Sequence, residues 1–147
     1  MLPDDTTAAL KAVIDEFFQA VSFETGQTPA YARIHGLFIE DGKLIRNSGE
    51  VPEISSVGEF IASREQVFSS GALTSFEEVE VAERTEVFGS VAHRLSTYTK
   101  RSTVDGEALE GAGVISTQLI RTPAGWKISS MAWDDERPGL DIPERYR

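Results

Sequence analysis

The chain has 147 residues, of which 14 are Lys or Arg and 24 are Asp or Glu, so it carries a formal charge of −10 at pH 7. That balance argues against nucleic-acid binding, which needs a basic face to neutralise phosphates, and against anionic membrane surfaces. A 40% hydrophobic share sets disorder aside, and the absence of cysteine removes disulfides, thiolate nucleophiles and Cys-held metal. The length suits one domain over residues 1–147, with 137–147 as an extended tail. Met1-Leu2-Pro3-Asp4-Asp5 has neither the basic start nor the apolar stretch of a secretory signal, and no run approaches the roughly 18 apolar residues of a membrane span. A cytoplasmic protein is the expectation.

Over residues 6–23, Leu10, Val13, Ile14, Phe17, Phe18 and Val21 form one apolar stripe of an amphipathic helix. Asp4, Asp5, Thr6 and Thr7 offer oxygens to its open N–H groups, and Gly26 lies beyond its end. Pro29 then introduces a short second helix over 30–35, ending near Gly36. Leu37-Phe38-Ile39 leads to Asp41-Gly42, a turn signal, and to a short strand at 44–47. After a loop through Gly49 and Pro52, Ser56-Val57-Gly58-Glu59 reads as a capping box, and a third helix follows to Gly71. From Leu73 onward β-branched and aromatic residues dominate. Four strands are predicted at 73–86, 90–102, 111–122 and 126–135, with joins short enough for consecutive antiparallel pairing. In the tail, Leu140 and Ile142 are the candidate anchors.

Helices first and long antiparallel strands after them make an α+β layout. The order helix, helix, Leu37-Phe38-Ile39-Glu40-Asp41-Gly42 with a short strand, third helix and long strands ends on a strand carrying Gly125-Trp126-Lys127-Ile128 and Trp133. Up to about Arg137 this resembles the nuclear transport factor two-like superfamily, the cone-shaped fold shared by SnoaL-like polyketide cyclases, ketosteroid isomerase and scytalone dehydratase. The resemblance implies a curved antiparallel sheet wrapped around the N-terminal helix, with an apolar cavity between them. It rests on order and spacing, and fold alone does not set the chemistry.

His93, in mid-strand, is the first candidate for general acid or base if its side chain faces that cavity; otherwise it is an outward or satisfied core histidine. With a hairpin turn near 87–90, Arg84 falls near it and Glu80 farther along the same face, although a one-residue slip reverses that assignment. Asp134 matches by position the acidic residue of SnoaL-like cyclases, and Asp134-Asp135-Glu136 equally reads as a solvated cluster. His35 reads as a cation at a helix end. The steroid-isomerase mechanism is not implied: its carboxylate position falls at Ile45-Arg46-Asn47 and its phenol position at Phe17 and Phe18. Of the scytalone dehydratase set, His93 has a counterpart, with Tyr31 and His35 as further contributors.

The candidate ligand contacts are Phe17, Tyr31, Arg46, Phe60, Glu80 and Trp133, the aromatics among them serving equally as core. Glu77, Glu78, Glu80, Glu83 and Glu86 alternate between two faces, which suits a solvated strand better than a metal site. No cofactor or metal is implied, since there is neither a Gly-rich phosphate loop nor a His-x-x-x-His pair. The resemblance also implies a homodimer through the outer sheet face, with Thr97, Thr99, Thr117 and Tyr98 suited to the contact. The expected function is binding of a small, largely apolar organic molecule, with metal-free isomerase, cyclase or dehydratase-type turnover. The alternative is a non-catalytic dimeric binding module.

Overall fold

The computed structural model describes residues 3–147. Met1, Leu2 and the side chains of Pro3 and Asp4, on which part of the N-terminal reading rests, lie outside that description. The first helix, α1, spans Pro3–Val21, three residues earlier than its apolar stripe suggested. Proline is tolerated in the first turn because its missing N–H has no intrahelical partner there. Leu10, Ile14, Phe17, Phe18 and Val21 are all buried, as the stripe requires. Each such side chain contributes about 2 kcal/mol by leaving water, as an upper figure.

The second helix is present but is a 3-10 helix, Tyr31–Leu37, whose buried residues are Tyr31, Ile34 and Leu37. That spacing of three is the period of a 3-10 turn. The turn expected at Asp41-Gly42 does not form, and Phe38–Arg46 is one strand, β1. It pairs in parallel with β6 (Gly125–Asp135), and the register jumps from Phe38↔Ile128 to Lys43↔Ser130. The Asp-Gly pair therefore forms a bulge inside a strand. A side chain at Gly42 would begin 2.7 Å from the Phe38 ring, so the glycine is needed for that close approach.

A four-residue edge strand, β2 (Glu53–Ser56), follows and pairs antiparallel with β1. Its polar residues carry no alternation, which is why the sequence reads as loop there. The capping box is real: Ser56 Oγ accepts from the Glu59 N–H at 3.1 Å and Glu59 Oε1 accepts from the Ser56 N–H at 2.9 Å, opening α2 (Val57–Ser69).

The second half is the predicted meander: β3 (Leu73–Phe88), β4 (Val91–Val104), β5 (Glu107–Thr122) and β6, paired antiparallel in sequence order. The six-stranded sheet runs β2-β1-β6-β5-β4-β3. Asp105-Gly106 joins β4 to β5 with φ of 51° and 80°, the left-handed pair that a two-residue hairpin turn demands. The C-terminal residues strap the outer face, where the Thr97 hydroxyl donates to the Tyr146 carbonyl and Arg84 donates to the Arg145 carbonyl at 2.8 Å. Ile142 is buried, whereas Leu140 is exposed and anchors nothing. Among the described residues no helix is long and apolar enough to cross a membrane.

The close approach of β4 to β5 yields a prediction. A Cβ at Gly113 would lie 2.2 Å from the Tyr98 hydroxyl and 2.4 Å from the Asp134 carbonyl oxygen. At Gly111 it would meet only the flexible Lys100 chain, at 3.0 Å. Gly113→Ala is expected to lose about 3 kcal/mol of stability in urea unfolding. Gly111→Ala should lose less than about 1 kcal/mol, and equal losses would contradict this account.

Candidate functional site

The inner face of the sheet does not close fully over α1. Between the C-terminal half of α1, α2 and strands β1 to β6 lies a cavity of about 490 Å³, within the usual ligand-pocket range. Its apolar wall includes Phe17, Leu44, Phe60, Phe76, Ile115 and Trp133, with Phe60 and Trp133 edge to face at 6.1 Å. Its charged groups are Arg46, Glu53, Arg64, Glu78 and Lys100.

Which residues reach the cavity follows from the phase of β3 and β4. Along β4 the alternate residues Arg94, Ser96 and Tyr98 are buried on the inner face, and Lys100 continues that row. Across the ladder Glu78 pairs with Lys100 and Glu80 with Tyr98. The register shifts between Glu80 and Ala82, so that Glu86 comes opposite His93. A bulge at that point reverses the faces of β3. Below it the even-numbered glutamates face inward and Val79 and Val81 are exposed. Beyond it Glu83 turns inward and reaches Arg94 at 3.2 Å.

These placements decide the expected site residues. His93 lies on the outer face, half exposed, its Nε2 2.7 Å from Glu86 Oε1, and does not reach the cavity. Asp134 also points away from it, paired with Arg137 at 2.5 Å. Glu80 faces inward but outside the cavity, where it accepts from Arg94 Nε at 2.9 Å, Arg94 Nη2 at 2.6 Å and Ser96 Oγ at 2.6 Å. Tyr31 is buried beside Arg64 and does not line the wall, whereas Phe17, Arg46, Phe60 and Trp133 do. Of the residues assigned to the outer-face contact, Tyr98 and Thr117 are buried inside, Thr97 lies under the C-terminal strap and Thr99 is exposed.

Glu78 is the functional group that sequence reasoning left among solvated acids. Its main chain is held at the end of α1: the Ser22 hydroxyl accepts from the Glu78 N–H at 3.0 Å and donates to the Phe18 carbonyl at 2.7 Å. Burial pushes the Glu78 carboxyl up from its ordinary 4.5 to about 7, against the pull of Lys100 and Arg64 and with the help of Asp135. Lys100 donates to Asp135 Oδ1 at 3.0 Å, and the Tyr98 hydroxyl donates to the same oxygen. Burial and the Asp135 contact raise the Tyr98 phenol, keeping it a neutral donor. A carboxyl that titrates near neutrality, beside an ammonium on the neighbouring strand, can both accept and return a proton. The one available signal was position: Glu78 lies on the β3 face set by Phe76, two residues earlier.

A raised carboxyl pKa has a signed consequence for stability. Between pH 4.5 and about 7 the folded protein holds a proton on Glu78 that the unfolded chain has released. The stabilisation present below pH 4.5 is therefore lost as pH rises to about 7, by about 3 kcal/mol at most. Glu78→Gln, which mimics the protonated form, is expected to match wild type at pH 4.5 and exceed it at pH 8 in urea unfolding. An equal difference at both pH values would contradict this.

No sequence-family model matches the chain, and no curated protein matches it. Solved structures do match. A nuclear transport factor 2 (NTF2-like) superfamily protein from Salmonella enterica shares 11% identity at a TM-score of 0.76, over 92% of this chain and 94% of that one. An NTF2-like protein with a cystatin-like fold from Novosphingobium aromaticivorans shares 15% at 0.67, over 97% and 87%. A candidate dehydratase of the NTF2-like family from Streptomyces avermitilis shares 18% at 0.71, over 92% and 99%. At such identities the likeness concerns architecture, and with the sheet order and the leading helix it establishes that the chain adopts the α+β cone fold of nuclear transport factor two-like proteins.

Proposed function

We propose that the cavity binds a small, largely apolar organic molecule and that Glu78, in place of His93 or Asp134, turns it over by acid–base chemistry. The observation that carries this reading is a single carboxyl held near neutrality inside a mostly apolar cavity, with the Lys100 ammonium across the ladder from it. The chemistry these two groups support is proton abstraction next to a carbonyl. The Glu78 carboxylate takes a proton from carbon, and Lys100 donates a hydrogen bond to the oxygen on which negative charge develops. Asp135 occupies one Lys100 proton, leaving others for the substrate. Return of the proton to a second carbon gives isomerisation; its delivery to a departing hydroxyl gives water and dehydration. The neighbours named as candidate dehydratases, from Streptomyces avermitilis and Novosphingobium aromaticivorans, support this only in that the same fold hosts proteins so named.

The test follows carbon-bound hydrogen in D2O by NMR for a panel of small cyclic enones and β-hydroxy ketones. Wild-type protein is expected to catalyse exchange at the carbon beside the carbonyl, with a rate that rises with pH and levels off above about 7 as Glu78 ionises. Glu78→Gln should lose at least about a hundredfold of that rate. Exchange that survives in the variant, or is absent throughout the panel with wild type, would overturn the assignment.

A further inference from the structure

The charged groups of the cavity are not equally satisfied. Arg46 bonds Ser48 at 3.1 Å and lies 3.8 Å from Glu53, and Lys100 is paired with Asp135 at 3.0 Å. Arg64 differs. It projects from α2 into the cavity wall with its Nε buried and without a hydrogen-bond partner, and it makes no ion pair among the described residues. Its guanidinium lies over the Phe76 ring, 5.2 Å from the centroid, which orients the fork without supplying an acceptor. Beside it lies the buried Tyr31 hydroxyl, close enough for the guanidinium to offset part of the rise that burial causes in its pKa. A buried guanidinium N–H without an acceptor is uncommon in folded proteins and calls for one.

A cation is also out of keeping with its surroundings. The chain carries a charge of −10, yet Arg64 makes no ion pair among the described residues, and Glu78, the cavity carboxyl on which it pulls, is pushed up to about 7 by burial. The planar guanidinium fork matches the two oxygens of a carboxylate, and partial burial strengthens such a pair. We propose that Arg64 holds an anionic group of the ligand, so that the molecule taken up is a small organic carboxylate with an apolar body. This rests on the cavity reading above and narrows it. The apolar body lies against Phe60, Phe76 and Trp133, and the reacting carbon faces Glu78.

The test is a matched pair of probes with one apolar body, 1-naphthaleneacetate and the neutral 1-naphthaleneacetamide, titrated by calorimetry at pH 6. Wild-type protein is expected to bind the acetate about tenfold or more tighter than the amide. Arg64→Gln should reduce that preference to near unity while leaving amide affinity within about twofold, and Arg64→Lys, which keeps the charge and loses the fork, should retain part of it. The wild-type comparison stands without any variant. Equal binding of the two probes, or a preference that survives Arg64→Gln in a protein with an unchanged thermal midpoint, would overturn the anion site and leave the cavity reading intact. Binding of neither probe at millimolar concentration would overturn both.

Discussion

The arrangement of the inner face depends on one irregularity, the bulge in β3 between Glu80 and Ala82. An uninterrupted strand would place Glu78, Glu80, Ala82 and Arg84 on one side and keep Glu83 on the other. With the extra residue, Glu80 and Glu83 both reach Arg94, which is almost fully buried. Glu80 takes the guanidinium through two oxygens while also accepting from Ser96, and Thr85 Oγ1 accepts from Nη1 at 3.0 Å. A buried cation is tolerated only when its donors are met in this way, and removal of one partner leaves a charge stranded away from water. The bulge and the Arg94 cluster therefore sustain each other. The same reversal sends Glu86 to the outer face, where it meets His93, which the alternation of β4 already places there.

The two ends of the inner face then have opposite characters. Around Arg94 the guanidinium is met by Glu80, Glu83 and Thr85 and lies outside the cavity. Around Glu78 the matching is incomplete: Lys100 is paired with Asp135, Arg64 makes no ion pair among the described residues, and Glu78 itself is pushed up to about 7 by burial. A site able to move a proton needs that incompleteness, because a carboxylate locked into a bidentate pair has its proton affinity set by its partner. Glu80 and Glu78, two residues apart on one strand face, thus differ in role through surroundings alone.

Much of the fold was legible because it follows from local rules. The α1 stripe, the Ser56–Glu59 box and the hairpin turn near 87–90 all appear where the sequence predicts. Asp41-Gly42 misled because a turn dipeptide reports local backbone preference, whereas the residues on both of its sides pair with β6, ninety positions away in the chain. Strand β2 carried no pattern of its own and exists by pairing with β1. For the site, the period-two alternation of β3 separated valines from glutamates correctly but did not say which set faced inward. The usual assumption sends apolar residues in, and here Val79 and Val81 face out while Glu78 and Glu80 face in. The bulge that fixes this phase has no signature in the residues around Val81. His93 was the natural first choice by chemistry, and only a register set by distant pairing excludes it from the cavity.

The comparison with ketosteroid isomerase now has a physical meaning. The positions where that enzyme's base and phenol were expected, at Arg46 and at Phe17 and Phe18, include two residues of the cavity wall here, Arg46 and Phe17. Neither supplies a proton-transfer group. An inward carboxyl pushed up to about 7 lies instead on β3, where Ser22 ties the end of α1 to the Glu78 backbone. A cone of this kind fixes where a ligand sits, through the gap left between sheet and helix. It does not fix which wall bears the reactive group, since any inward position along the cavity's strands faces the same enclosed space. In this chain the register of β3 against β4 makes that choice, and the side chain it presents is Glu78.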